Sequence, residues 1–207
     1  MEISRSKTEY MCLSGLSLGS VNLQDSQLPL TDNFKYLGST IQSGGGTKVE
    51  VTRRIQCGWN NWKKMSGVLC DRKVPPRVKG KIHRMVVQPA MLYGMETVPL
   101  SIRDTKRLEV AAMKMCRWAL GHTLKDHVRN EYIKERMGIV SIGERCKESR
   151  LRWFGHVKRR DEVYVGRRGM DMRLPGRRKR GRPKLRWMDC VRRDRDSIGA
   201  KEEDTLD

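Results

Sequence analysis

"TKVEVTRRIQCGWNNWKKMSGVL", Thr47–Leu69, is where the chain changes its period. Its apolar residues fall at Val51, Ile55, Trp59, Trp62, Met65 and Leu69, always three or four apart, with Arg53, Arg54, Lys63 and Lys64 mostly off that line. Such spacing draws one face of an amphipathic helix. Gly58 is the one weak point, because glycine lowers helix propensity. "SGGG", Ser43–Gly46, stands immediately before it as a stop signal. The fold therefore divides here, strand-like before and helical after.

Upstream, the first 45 residues alternate over short runs. "EYMCLSG" ends at Gly15, "SVNLQDSQLPL" sets Val21, Leu23, Leu28 and Leu30 around a polar turn, and "FKYLGSTI" carries Phe34, Tyr36 and Ile41 as a third strand. A small antiparallel β meander is expected, too small to be stable without helices to cover it. Downstream, "DRKVPP" ends the first helix and Pro75–Pro76 suit the start of a second. Val78, Ile82, Met85, Val86 and Leu92 lie on its apolar side, and Pro89 marks a kink or break. A third helix fits Asp104–Leu120 with a stripe of Leu108, Ala111, Ala112, Met115 and Trp118, closed by Gly121.

Two shorter helices follow. One carries Val128, Ile133 and Met137 and closes at Gly138. The other opens on Ser141-x-x-Glu144, a capping box, and turns Ile142, Leu151, Phe154 and Val157 inward. Residues 159–176 look like a charged linker. After Pro183 a short helix buries Leu185, Met188, and Val191 or Trp187. The expected class is mainly α: a helical bundle behind a small N-terminal meander, ending in a basic, partly disordered tail.

With 207 residues the chain can build one sizeable core or two small ones. Its net charge of +20 attracts polyanions before any specific contact forms. The first 70 residues are nearly balanced, and the excess runs from there to Arg195 before "KEEDTLD" reverses it. No apolar run is long enough to span a membrane, and "MEISRSKTEY" lacks the apolar core of a signal peptide. Six cysteines at long intervals then read as free thiols in an intracellular, reducing compartment, nuclear or cytoplasmic.

The densest charge is "GRRKRGRPKLRW", Gly176–Trp187, without one acidic residue. Gly181 would let the backbone press into a narrow minor groove, Arg180 and Arg182 would point along it, and Pro183 would keep the exit extended. The same run equally suits nuclear import or generic phosphate contact. The contact residues expected are Lys179, Arg180, Gly181, Arg182, Pro183, Lys184 and Arg186, with Arg159 and Arg160 next.

Catalytic signals are missing. Cys116, His122, His127 and Cys146 have no metal-finger spacing, so no metal site is expected. No Gly-x-Ser-x-Gly elbow occurs, and "SGGG" is not followed by a phosphate-binding lysine. The close carboxylates Asp161–Glu162 and Asp194 with Asp196 stand in charged, exposed surroundings. Trp59 and Trp62 share a face with Ile55, so they read as core. Trp153, among Arg152, His156, Lys158, Arg159 and Arg160, better fits the cation-flanked aromatic that base stacking needs, although partial burial is the favoured reading.

In order along the chain stand "KTEYM", "FKYLGSTIQSGG", "GWNNWKKMSGVLCDR", "PAMLYGMET", "RLEVAAMKMCRW", "VRNEYI", "RLRWFGHVKRRD" and "LPGRRKRGRPKLRWMD". Together they resemble the region after the polymerase palm in endonuclease–reverse transcriptases of LINE-type (non-LTR) retrotransposons of the RTE kind. That resemblance implies a residual palm and primer grip over 1–46 and a helical thumb over 47–121. Helices over 122–160 and a basic linker and tail over 161–207 would follow. It implies nucleic-acid partners: RNA template, DNA primer or target DNA. Lys7-Thr8 match the family's Lys-Thr motif, which in such polymerases sets a lysine near the incoming nucleotide. The family's catalytic aspartates lie upstream of this chain's text, so no catalytic residue is expected here. Mg²⁺ is expected only for the full-length parent, and the chain reads as a fragment: a truncated copy, a partial gene model, or a domesticated remnant. The alternative is a host-adopted nuclear protein, its bundle serving an unknown protein partner and its basic run nuclear import.

Overall fold

The computed structural model describes residues 4, 8–12, 19–23, 26–172 and 185–200. Contacts within the chain divide it into two compact units, residues 1–53 and 54–207.

The first unit holds hairpins. Strands β1 (Asn22–Leu23) and β2 (Ser26–Gln27) pair with each other, as do β3 (Asn33–Tyr36) and β4 (Ser39–Gln42). The expected small antiparallel β region is present, and it is divided into two two-stranded sheets. "FKYLGSTI" is not one strand but a whole hairpin. Leu37 and Gly38 have φ of 45° and 80° and form its two-residue loop, both left-handed, the geometry that matches the twist of the flanking strands. Tyr36 consequently faces Ser39 across the turn, and Phe34 faces Ile41. Beyond the ladder, the Ser43 hydroxyl bonds Asp32 at 3.1 Å, and the Thr40 N–H donates to Glu50 Oε2 at 2.7 Å.

Helix α1 (Lys48–Lys64) runs across the division between the units, and after a break at Met65 the short α2 (Ser66–Leu69) follows. The Met65 position in the apolar line thus sits between two helices. Gly58 has a packing reason, since a Cβ there would collide with the Met91 side chain.

The next helix is continuous in direction but not in type. α3 (Pro76–Ile82) passes into a π-helical turn (His83–Val87) and then α4 (Gln88–Leu92). Pro89 therefore neither breaks nor ends it. Proline has no N–H and crowds the carbonyl four residues back, and the wider turn just before it relieves both. The expected apolar face is revised here: Val78 and Met85 are exposed, while Lys79, Gly80, His83, Val87, Gln88 and Met91 are buried. Gly80 lies so close to the Met137 carbonyl that any Cβ would clash.

α5 (Ile102–Ala119) is the central helix. Ser101 caps it by accepting the Asp104 N–H at 3.1 Å, so the helix begins two residues before the expected start. Gly121, at φ 75°, closes it: its N–H reaches Trp118 O at 3.0 Å and that of His122 reaches Arg117 O at 2.9 Å, satisfying the last carbonyls. A further carbonyl, that of Ala119, accepts from the buried Lys79 Nζ at 2.6 Å. The buried face is Leu108, Ala111, Ala112, Met115, Cys116 and Ala119. Trp118, expected in this stripe, is 47% exposed.

A 3₁₀ turn (Leu124–Asp126) leads to α6 (Asn130–Met137), so Val128, expected within that helix, precedes it. α7 (Ile142–Lys158) starts at Ser141, whose hydroxyl accepts the Glu144 N–H at 3.2 Å. It packs on α5 and buries Ile142, Cys146, Phe154 and Val157. The stretch expected as a linker contains α8 (Val165–Asp171). Its two glycines give it little intrinsic helix propensity. Instead Arg167 reaches back across the end of α7, donating to the carbonyls of Arg160 at 2.7 Å and Lys158 at 3.3 Å.

α9 (Trp187–Ile198) packs on α7. The Trp187 indole N–H donates to Glu96 O at 2.7 Å, its ring lies 6.2 Å from Phe154, and Cys190 and Val191 are buried. Leu185, expected inside, is 39% exposed. Asp194, expected to be exposed, is buried in an ion pair with buried Arg150 of α7. The reason is tertiary: a carboxylate loses its hydration only when a matching guanidinium is supplied from elsewhere in the chain.

Candidate nucleic-acid interface

The α5 helix has a second face. Arg103, Arg107, Val110, Lys114 and Trp118 recur at intervals of four, three, four and four, on the side turned away from the buried stripe. Opposite them α1 supplies Ile55, Gln56, Trp59 and Lys63, and the two helices bound a groove of about 690 Å³. Its floor is apolar, from Ile55, Trp59, Val110, Ala111 and Trp118. Its rim carries Lys63, Arg103, Lys106, Arg107 and Lys114, and among the described residues no carboxylate lines it.

The two indoles of the floor belong to a cluster of three. Trp59 lies 5.7 Å from Trp62 and 5.4 Å from Trp118, and Trp62 lies 5.9 Å from Trp118, all steeply inclined. Edge-to-face arrays of this kind match the positive ring edge to the negative ring face. Trp62 is buried beneath and anchors the other two. The Lys114 ammonium stands 5.4 Å from the Trp118 ring centre, a cation–π contact. Arg107 is partly occupied by Asp104, one turn back at 3.5 Å.

Of the contact residues named from sequence, Arg159 and Arg160 are exposed at the end of α7, with the Arg160 guanidinium 5.8 Å from the Tyr164 ring. Arg186 is exposed at the start of α9, where its N–H donates to Asp189 Oδ2 at 2.9 Å. None of these three lines the groove. Lys7, Lys179, Arg180, Gly181, Arg182, Pro183 and Lys184 lie outside the described residues. Trp153 is half-buried and stacked on His156 at 5.4 Å and 26°. The exposed, cation-flanked tryptophan is instead Trp118, expected in the core stripe. The groove cations do not stand out as a set in the sequence, although their spacing along α5 is a usable signal once the charged face is counted as carefully as the apolar one.

Elsewhere the chemistry is structural. Burial pushes the Cys116 and Cys146 thiols up to about 12, which holds both as inert, protonated side chains. His83 has both ring nitrogens buried without a partner, and desolvation lowers it to about 4. Asp126 is held below the usual carboxylate range, chiefly by the Thr123 backbone N–H at 2.6 Å.

Comparison with known proteins gives a distant likeness. A Caenorhabditis elegans protein described as transposon-derived and uncharacterized is 26% identical over 178 residues, 82% of this chain. The chain spans 62% of that relative's length. No protein-family profile and no solved structure matches.

Proposed function

We propose that this chain is a nucleic-acid-binding, non-catalytic portion of a transposon-encoded reverse transcriptase of the non-LTR type. It would hold template, primer or target strands through their phosphates. The carrying observation is the α1–α5 groove, with five basic side chains on its rim and no carboxylate among the described residues that line it. Phosphate backbones are the polyanion that such a rim fits, and release of their counterions drives the association. The transposon-derived relative supports the origin, and the net charge of +20 supports the partner class. Arg159, Arg160 and Arg186, all exposed, add secondary contacts, and the basic run through Lys179, Arg180, Arg182 and Lys184 is proposed as a further phosphate-binding segment.

Filter binding of a short nucleic acid over a salt series tests this reading. The pair Arg103→Gln and Lys106→Gln should weaken binding and flatten the plot of log affinity against log salt by about two units, one for each lost phosphate contact. Unchanged affinity and slope would remove the groove from the interface. The same measurement on Arg180→Ala with Arg182→Ala reports on the basic run separately. A host-adopted protein that uses the groove for another protein would show no such salt slope.

A further inference from the structure

We infer that the α1–α5 groove selects unpaired nucleotides over duplex, by stacking a base on the exposed face of Trp118 while the rim holds the flanking phosphates. This rests on the nucleic-acid reading above and goes beyond it, since phosphate contacts alone do not distinguish single strands from double ones.

The groove has what stacking requires and a duplex cannot use. Trp118 is 47% exposed on an apolar floor, yet it is held against Trp59 at 5.4 Å and buried Trp62 at 5.9 Å. An indole already held in place loses little freedom when a base lies on it. In a duplex both faces of each base are covered by its neighbours, so only an unpaired base can present a face to that floor. A double helix would meet the rim alone.

Lys114 makes the site exchangeable. Its ammonium now lies 5.4 Å from the Trp118 ring centre. An arriving base takes that place over the ring, and the displaced ammonium, on a flexible stem, becomes free to meet the adjoining phosphate. One contact is traded for two, and the stacking one needs the nucleotide to be unpaired. From Arg103 to Lys114 the cations are spread over roughly 16 Å of α5 at about 1.5 Å per residue, a length suited to a few nucleotides of single strand.

The experiment uses the intact chain with fluorescently labelled oligo(dT), oligo(U) and a hairpin duplex of matched length. Fluorescence anisotropy gives the affinities, and quenching of the protein's own tryptophan emission reports stacking. The single strands should bind at least about tenfold more tightly than the duplex and quench the emission. Trp118→Ala should lose about tenfold in single-strand affinity with duplex affinity unchanged, and Trp118→Phe should recover most of the loss. Equal single-strand and duplex affinities without quenching in the unaltered protein would overturn the inference and leave the phosphate reading standing. Equal losses for both ligands in a Trp118→Phe protein that melts normally would overturn it too. Binding to none of the three would overturn both readings. Displacement of oligo(dT) by an acidic peptide that binds more tightly would assign the groove to a protein partner instead. The contrast between oligo(dT) and oligo(U) tells DNA from RNA.

Discussion

In the β3–β4 hairpin Phe34, Tyr36, Leu37 and Ile41 are all exposed, with Leu37 at 75%. On α5 and α7 the side chains of like size, Leu108, Met115 and Phe154, are at most 1% exposed. The two units thus rest on different forces. The hairpins rely on ladder hydrogen bonds, a tight turn and a few side-chain contacts such as Ser43 to Asp32. A two-stranded hairpin held that way is marginal in water. The helical unit excludes water from a continuous apolar interior, and each buried large side chain stabilises it by roughly 1.5–3 kcal/mol. Residues with the same hydrophobicity count for little in one unit and for most of the stability in the other.

The sharpest way to erase that contrast is to loosen the helical unit at its buried ion pair. Asp194→Ala leaves the Arg150 guanidinium charged, buried and unmatched, and should lower stability by about 3–5 kcal/mol in urea denaturation. Replacing both partners with apolar residues, Arg150→Met with Asp194→Leu, should restore most of the loss. A small effect of the single change would mean that water reaches this pair.

Acid should loosen the same unit less abruptly. His83 titrates near 4 in the folded chain because burial disfavours its charged form, against about 6.5 when unfolded. Between those values the unfolded chain binds the extra proton, so stability rises with pH. The contribution is complete above about pH 6.5 and is lost as pH falls toward 4. The full loss is about 3 kcal/mol, since each pH unit between the two values is worth about 1.4 kcal/mol. Denaturation series at about pH 4, 5, 6 and 7 should show this slope in the native protein and a shallower one in His83→Leu. Parallel pH profiles for the two proteins would count against the desolvated histidine.

The smallest change strengthens the weaker unit. Leu37 holds φ 45°, where a branched side chain is strained, and Asn-Gly is the preferred pair for this loop. Leu37→Asn should stabilise the hairpin by roughly 1 kcal/mol. Amide exchange should slow across Asn33–Gln42 and stay unchanged in α5. If the hairpin amides exchange no more slowly, the turn is not what limits its opening.

Most helices are legible because one amphipathic face leaves a period of three and four. α1, α5 and α7 all show it, and the glycines at 121 and 138 mark the stops of α5 and α6. What sequence misplaces are residues whose position depends on a distant partner. Trp118 lies about 80° around α5 from the line through Leu108, at about 100° per residue. Small Ala119 occupies the buried position that the large indole is expected to fill. Arg54 sits within a charged pair yet is buried, its guanidinium 4.6 Å from the Tyr93 ring. Lys79 is buried because the end of α5 offers a carbonyl, and α8 forms where Arg167 finds the end of α7. The groove is half legible. Its cations and tryptophans are plain in the text, but only folding shows that one face of α5 lies beside one face of α1.

The π-helical turn at His83–Val87 gives one rod two orientations. A turn of this kind carries one residue more than an α turn, so the residues after it are rotated by about 100° relative to where an unbroken helix would carry them. α3 packs on α6, and α4, past the turn, packs on α7. The extra residue therefore works as a phase shifter that lets a short stretch of chain serve two neighbours standing on different bearings. Deleting any one residue from His83–Val87 would restore a uniform helix and leave one of those neighbours facing the wrong side chains.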